Sequence, residues 1–350
     1  GSPNIAPEPS NMKVLQESIM VPENYKYAIN ELPEMKSAIH DWYKNRYNVE
    51  LTYDEMICLQ GSQEALSTLF LAMCDPGDIV LVPDPYYPIF SDGPKIAGAK
   101  VEYMPLLQEN NYVIQLDQID EEIAKKAKMM IVSYPNNPTC AIAPDSFYEE
   151  LIQFAKKYDI VVLHDNAYSE LVFDGKVGKS FLSFEGAKEI GIELNSFSKT
   201  YGMAGARLGV CVGNKEVIDC YNTLKSNMDY GIFLPIQYAG IEALRHGGAS
   251  IHSTCQAYQD RRDAICEAFD EVGWHIDKSP ATMFAWARIP DQYEDSYAFT
   301  KDLMEKTGVV VTPGQAFGVH GTRYVRLALV QDIEDIQKAA ERIKKSEIFK

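Results

Sequence analysis

Short, uniformly apolar segments alternate with helical patterns through the middle of the chain, and this alternation restricts the possible folds more than any other feature. The apolar segments are residues 79–82, 129–132, 160–163 and 208–212. Helical patterns such as 65–73 and 147–157 lie between them. A strand without polar alternation is buried on both faces, and strands joined by helices run parallel. We therefore predict an α/β fold whose mostly parallel central sheet lies between helices and binds ligands at the carboxyl ends of its strands.

The pattern changes after residue 232, where a long helical stretch at 235–272 begins. Strand candidates and further helices follow it. The strand candidates are 282–287, 309–311 and 324–329, and the flanking helices are 295–307 and 332–345. A chain of 350 residues commonly divides into two domains. We predict a large α/β domain at residues 25–245 and a smaller α+β domain formed by residues 1–24 and 246–350.

Charge and cysteine content exclude several classes of function. Acidic residues outnumber basic ones 50 to 33, which gives a net charge of −17 and disfavours binding to nucleic acid or to an anionic membrane surface. The seven cysteines form no C-x-x-C pair, so we expect no disulfide framework and a reducing, cytoplasmic location. No apolar run is long enough for a membrane helix, and no signal-peptide pattern is present. The chain starts at Gly1 without a Met, so we expect the native beginning to lie upstream.

Three familiar motifs are absent. The segment 178–180, Gly-Lys-Ser, resembles the end of a phosphate-binding P-loop, but Phe173 stands where that loop requires a glycine. Histidines and cysteines lack metal-ligand spacing, so we expect no metal site. There is also no G-x-S-x-G motif of a serine hydrolase.

The most informative segment is 195–209, in which Lys199 lies among small hydroxyl residues just after a strand candidate at 190–194. A lysine with a lowered pKa can form a Schiff base with an aldehyde cofactor. Ser196, Ser198 and Arg207 could then hold a phosphate group. The alternative is an ordinary surface lysine after a turn.

Asp165 and Tyr168 follow the apolar strand at 160–163. An aspartate at a strand's carboxyl end can pair with a protonated ring nitrogen and keep it cationic. Tyr168 could donate a hydrogen bond to a ring hydroxyl. The alternative is that Asp165 caps the next helix.

Three further positions suggest ligand contacts. Asn137, in the Asn-Pro-Thr segment after strand 129–132, could present its amide to a ligand, although Asn-Pro turns are common. The segment 61–66 reads as a helix start whose free amides suit a phosphate, or as a plain capped helix. Arg326 lies in an otherwise apolar strand, where it needs an anion: either a substrate carboxylate or an internal acid.

Together these residues supply an amine, a phosphate cradle, a partner for a ring nitrogen and a carboxylate clamp, which is the set that pyridoxal 5'-phosphate requires. The sequence resembles the fold-type I pyridoxal-phosphate aminotransferases of class I/II, from Gly1 to Arg326. The resemblance is carried by the Ser-x-Ser-Lys run at 196–199 with Arg207, by Asp-x-Ala-Tyr at 165–168 and by Asn-Pro-Thr at 137–139. Segments 224–231 and 281–287 are most similar to the LL-diaminopimelate and glutamate–pyruvate aminotransferase branch.

The resemblance implies a role for each residue. Lys199 would be the Schiff-base lysine and proton shuttle, and Asp165 would pair with the pyridine nitrogen. The remaining roles it implies are ring-hydroxyl contacts from Tyr168 and Asn137, ring stacking by Tyr87, phosphate contacts from Ser62, Gln63, Ser196, Ser198 and Arg207, and substrate binding by Arg326 and Asn137. It also implies a homodimer with shared active sites, in which Tyr27 reaches the phosphate of the neighbouring subunit.

Three departures from the family pattern are visible. Cys140 follows Asn-Pro-Thr where the family often has glycine, and Glu31 replaces a glycine before Leu-Pro-Glu, which weakens the placement of Tyr27. The family's N-terminal arm before Gly-Ser-Pro has no counterpart here, so we expect incomplete dimer contacts.

The resulting functional prediction is a ping-pong transfer of an amino group between an L-amino acid and a 2-oxo acid. One alternative is a β-elimination C–S lyase on the same fold, which would use the same cofactor residues. A third reading is a ligand-sensing module that kept the cofactor site without catalysis. The sequence does not identify the substrate side chain. Lys225, Asn227 and Tyr230 are candidates for lining its pocket, or they serve the structure of their loop.

Overall fold

The computed structural model describes residues 2–349, so Gly1 and Lys350, the ends of the predicted small domain, lie outside the described residues. Ten strands are present: β1 (Met56–Leu59), β2 (Ile79–Asp84), β3 (Lys100–Pro105), β4 (Ala127–Ser133), β5 (Val161–Asp165), β6 (Gly191–Ser196), β7 (Gly209–Gly213), β8 (Phe284–Arg288), β9 (Thr312–Pro313) and β10 (Tyr324–Ala328). The first seven form one sheet and the last three form another.

Thirteen α-helices surround the sheets within residues 2–349. They are α1 (Pro9–Ile19), α2 (Pro33–Tyr47), α3 (Ser62–Met73), α4 (Ile89–Ile96), α5 (Glu121–Ala124), α6 (Asp145–Tyr158), α7 (Ala187–Ile190), α8 (Phe197–Thr200), α9 (Lys215–Lys225), α10 (Leu234–His246), α11 (Gly248–Asp270), α12 (Ser296–Thr307) and α13 (Ile333–Ser346). None of these helices combines the length and apolar character needed to cross a membrane.

The large sheet has the strand order β1-β7-β6-β5-β4-β2-β3. All of its strands run parallel except β7, which is antiparallel to both β1 and β6. The central strand β4 is buried at every residue but Lys128, while the edge strand β3 buries only Met104. This difference follows from position, because helices cover both faces at the centre and solvent reaches the edge. The predicted α/β fold with a mostly parallel sheet is confirmed.

The small sheet, β8-β10-β9, is antiparallel. The strand predicted at 309–311 is wrong: those residues are irregular, and the strand is a two-residue segment that follows them. The helix predicted at 235–272 is two helices, since α10 ends at His246 and α11 begins at Gly248. Gly247 separates them at a point where the Tyr201 ring leaves no room for a side chain.

An ion pair and hydrogen bonds connect the segment after β5 with α11 and with the segment before β8. The buried Arg262 of α11 forms a two-pronged ion pair with Asp174, at 2.7 and 2.8 Å, and donates to the carbonyl of Ser279 at 2.9 Å. The backbone amide of Phe173 donates to the carbonyl of Pro280 beside this pair. The boundaries at residues 24/25 and 245/246 stay a prediction.

Candidate active site

Strand register brings the predicted site residues to one edge of the large sheet. Asp165 at the end of β5 lies opposite Ser133 of β4 and Leu194 of β6. Gly209, the first residue of β7, lies between Leu59 and Ser196. The segments that continue from these positions carry Ser62, Asn137, Tyr168, Lys199 and Arg207. The carboxyl edge of the sheet therefore gathers residues that are up to 145 positions apart in the sequence, from Ser62 to Arg207.

Lys199 lies in α8, the single helical turn directly after β6. Burial lowers the pKa of its amine below the ordinary value; the nearby Asp165 carboxylate opposes this shift and the Arg207 charge adds to it. Its Nζ atom is 5.6 Å from the centre of the Tyr168 ring and has no hydrogen-bond partner among residues 2–349. A desolvated lysine of this kind is a nucleophile and a base, not a solvated surface residue.

Asp165 is buried, and the one hydrogen bond its carboxylate accepts within residues 2–349 comes from the Ala167 amide at 3.3 Å. Burial raises the pKa of this carboxyl group, with the Lys199 charge acting in the opposite direction. The residues after it form a turn, so Asp165 caps no helix. A buried carboxylate with so little compensation favours a bound proton donor or cation. A protonated pyridine nitrogen fits this requirement.

Arg326 is held between two aromatic rings. Its Cζ atom lies 4.1 Å from the Phe284 ring centre and 4.4 Å from that of Phe317. Its Nη1 donates to Asn137 Oδ1 at 2.8 Å, and its buried Nε has no hydrogen-bond partner in the described part of the chain. Burial lowers the pKa of the guanidinium, and no acid within the described chain forms an ion pair with it. The internal ion pair considered from the sequence is thus not formed among residues 2–349, and the buried charge is left without an anion there.

Two glycines and Arg207 surround the start of α3, where a phosphate site is predicted. Gly61 adopts φ 74° and ψ 156° directly before this helix, and a Cβ atom there would lie 2.3 Å from Nη2 of Arg207. A Cβ atom at Gly209 would lie 2.8 Å from the backbone nitrogen of Ser62. The exposed Arg207 donates to the Ala204 carbonyl at 2.9 Å, which leaves other guanidinium hydrogens free. A helix N-terminus beside an arginine suits an anion.

The other predicted phosphate residues lie at the same edge. Ser196 is buried, and its hydroxyl oxygen accepts from the Ser198 amide at 3.2 Å, so its own proton remains available to a ligand. Ser198 is buried as well, whereas Gln63 is exposed on the first turn of α3.

The three predicted tyrosines differ in their surroundings. Tyr168 is buried with its ring edge-on to Phe284 at 5.9 Å, and burial raises the pKa of its hydroxyl group. Tyr87 is half-buried; burial raises its pKa, and the nearby Asp165 charge adds to this effect. Tyr27 is 76% exposed and packs edge-on against Tyr230 at 5.0 Å. Its contact with a neighbouring subunit stays a prediction.

The segment suggested for the substrate side chain has structural contacts instead. The buried Lys225 forms ion pairs with Glu64 at 2.6 Å and Asp229 at 2.7 Å. Asn227 donates to the carbonyl of Thr223 at 2.8 Å, within its own helix turn. Lys225 therefore has no free charge with which to bind a second carboxylate.

The aromatic rings beside Arg326 are the site residues that the sequence reasoning missed. Phe284 belongs to β8. Phe317 lies between β9 and β10, at the end of residues 314–317. Phe284 could have been found from strand pairing, because it alternates with Trp286, the register partner of Arg326. Phe317 carries no such signal, since it lies in a short 3₁₀ turn.

Comparison with known proteins identifies relatives along almost the whole chain. The family model described as aminotransferase class I and II matches residues 8–343. An LL-diaminopimelate aminotransferase of Halothermothrix orenii is 46% identical over 345 residues, which covers 98% of this chain and 88% of that protein. One of Moorella thermoacetica is 42% identical over 349 residues and covers 99% and 89% of the two chains.

Solved structures are also similar to this chain over almost its whole length. The substrate-bound BacF structure from Bacillus subtilis superposes with a TM-score of 0.96 at 37% identity, covering 99% of this chain and 88% of that one. An aminotransferase from Staphylococcus aureus superposes with a TM-score of 0.95 at 32% identity, covering 100% of this chain and 93% of that one.

Proposed function

This chain belongs to the class I and II aminotransferase family and is a pyridoxal-phosphate-dependent aminotransferase, and we propose that its amino donor is LL-diaminopimelate. The observation that supports the amino-transfer chemistry at this site is the arrangement of three buried charged groups that form no ion pair within residues 2–349: the Lys199 amine and the Asp165 carboxylate at the carboxyl edge of the large sheet, and the Arg326 guanidinium of β10, which reaches Asn137 at that edge. The lyase alternative is not favoured, because the relatives are named as aminotransferases.

We propose that pyridoxal phosphate binds between the start of α3 and the end of β5. When bound, it supplies an electrophilic carbon and a cationic ring that withdraws electrons from the substrate. The residues that would hold its phosphate are Ser62, Gln63, Ser196, Ser198 and Arg207, and those beside its ring are Tyr87, Asn137, Asp165, Tyr168 and Lys199. Asp165 would keep a proton on the ring nitrogen, because the buried carboxylate gains from a cationic partner.

Lys199 would move the proton of the substrate's Cα atom. A lysine is a base near neutral pH only when its pKa is lowered, and burial lowers the pKa of Lys199. Its Nζ atom accepts the proton and returns it to another carbon within reach. No other described residue donates to or accepts from this atom, so the amine stays free for both steps.

Arg326 would bind the α-carboxylate of donor and acceptor alike. The two flanking rings and Asn137 fix the plane of the guanidinium, so a carboxylate can bind it only from the open side. A two-pronged contact of this kind sets the direction of the Cα–H bond, which is a positioning effect.

The chain also has a surface suited to a second copy of itself. Two exposed aromatic pairs, Tyr25 with Phe233 and Tyr27 with Tyr230, lie at ring distances of 5.3 and 5.0 Å. Met228, two residues before Tyr230, is 50% exposed. Exposed large apolar side chains suit an interaction site, and these support a homodimer in which Tyr27 serves the neighbouring active site. The seven free cysteines support a cytoplasmic location.

A panel of donors and acceptors tests the proposed function. Glutamate, alanine, aspartate, an aromatic amino acid and LL-diaminopimelate are each assayed with 2-oxoglutarate and with pyruvate. We expect the highest kcat/KM for LL-diaminopimelate, and loss of turnover with every donor in Arg326→Gln. The exposed, distant His275→Ala serves as the control. Release of pyruvate and ammonia from a cysteine-like substrate without any acceptor would refute the amino-transfer proposal.

A further inference from the structure

The loop before β10 is fastened to the carboxyl end of β2. Asp84, the last residue of β2, is 3% exposed and accepts a hydrogen bond from Nδ1 of His320 at 2.9 Å. The backbone amide of His320 approaches the other oxygen of the same carboxylate, Oδ1, at 3.4 Å. The backbone amide of Tyr86 donates to the carbonyl of Phe317 at 2.7 Å. We call the Asp84–His320 pair the clasp.

Close approach of this loop depends on Gly318, which lies between the two contacts. Its φ is +121°, and a Cβ atom there would lie 1.9 Å from Oδ1 of Asp84. Any side chain would separate the loop from the carboxylate. The local sequence therefore permits a direct contact between the end of a large-sheet strand and a segment that leads into the small sheet.

Phe317 connects the clasp to the carboxylate-binding arginine. Its ring is one of three groups that contact the guanidinium of Arg326 within residues 2–349, together with the Phe284 ring and the side-chain amide of Asn137. Phe284 belongs to a regular strand, and Asn137 lies in a buried turn. Phe317 ends a short 3₁₀ turn. Its ring is buried and lies 6.0 Å from that of Trp286, but its backbone is held to the large sheet by its own carbonyl and by the clasp, so its position depends on loop contacts and not on a regular strand.

We propose that Asp84 and His320 are positioning residues for substrate carboxylate binding. The hydrogen bond from the imidazole to a buried carboxylate is charge-assisted and keeps the loop docked, which places Phe317 against Arg326. Without it the docked loop is only a fraction of the population, and the apparent affinity for a carboxylate falls by that fraction. This inference rests on the proposed role of Arg326 and adds two residues that touch neither substrate nor cofactor; their side chains are 34% (His320) and 3% (Asp84) exposed.

Equilibrium binding of glutarate to the holoenzyme, together with steady-state kinetics, tests the clasp. Glutarate carries the carboxylate but no amine, so its affinity reports the Arg326 site without turnover. In His320→Ala we expect glutarate to bind about tenfold more weakly, and KM for donor and acceptor to rise by a similar factor. We expect kcat to stay within about twofold of wild type, because the groups that move the proton are untouched. His320→Gln, which keeps a hydrogen-bond donor, should recover part of the affinity.

Hydrogen exchange of the loop and glutarate binding by an Arg326 variant distinguish the possible outcomes. Hydrogen exchange of the amides at 314–321 should be faster in His320→Ala and unchanged in the control His275→Ala, whose side chain is 76% exposed. Unchanged glutarate affinity in His320→Ala, or a loss of kcat at constant KM, would overturn the proposal. If His320→Ala folds poorly, Asp84→Asn, which removes the charge from the same hydrogen bond, gives the same test. Wild-type glutarate binding by Arg326→Gln would instead contradict the proposed role of the arginine itself.

Discussion

Replacing Gly61 with alanine perturbs the phosphate cradle in two separable ways. The backbone of Gly61, at φ 74° and ψ 156°, lies in a region that only glycine adopts readily, and forcing another residue into it costs about 1–3 kcal/mol. Unfolding entropy of about 2.1 cal/mol/K per residue over 350 residues converts a cost of about 2 kcal/mol into a Tm lowered by about 3 °C. Thermal unfolding of the cofactor-free protein measures this part.

The second effect falls on Arg207. The new Cβ atom would lie 2.3 Å from Nη2 and 2.8 Å from Cζ, so the guanidinium has to move. Because the guanidinium is the far end of a flexible side chain, it can do so without disturbing the fold. A lost hydrogen bond to a charged group costs about 1.5–3 kcal/mol, so we expect cofactor affinity to fall by about 10- to 100-fold. Titration of the cofactor-free protein with pyridoxal phosphate measures it.

Gly205→Ala is the matched control. Gly205 lies two residues before Arg207, has no positive φ, and would place its Cβ atom more than 4 Å from any neighbour. We expect this variant to match wild type in both Tm and cofactor affinity. If Gly61→Ala bound the cofactor as tightly as Gly205→Ala, the assignment of Arg207 to the phosphate would be refuted.

Three other variants test individual groups. Lys199→Ala should lose turnover by at least about a thousandfold while keeping some cofactor, and borohydride should attach none to the chain, as mass spectrometry would show. Asp165→Asn should raise the Tm of the cofactor-free protein at pH 8. Burial raises the pKa of this carboxyl, so its ionised form destabilises the fold above the folded-state pKa, and the gain should vanish as the pH falls towards the unfolded value of about 3.9. Tyr168→Phe should change the unfolding free energy by less than about 1 kcal/mol, because the hydroxyl has no hydrogen-bond partner among residues 2–349. The same variant should bind the cofactor more weakly. Denaturant unfolding measures the first effect and cofactor titration the second.

Strands at the centre of the large sheet could be predicted from the sequence because burial on both faces leaves an uninterrupted apolar run. β4 is such a strand, and Asp165 could be placed at a strand end for the same reason. The edge strand β3 escaped prediction because five of its six residues are not fully buried. β1 is only four residues long, so no period could be read from it.

The sequence alone was enough to place the reactive residues at strand ends. Which of the buried charges finds a partner was decided by the tertiary structure. Asp165 ends a strand, Lys199 and Asn137 each follow one, and the parallel arrangement of those strands is enough to bring the three residues to one edge. The sequence left open whether Arg326 meets an internal acid or an external anion, since 50 acidic residues were available to it. Only packing decides this, because the rings of Phe284 and Phe317 occupy the space on both sides of the guanidinium and no carboxylate of the described chain reaches it.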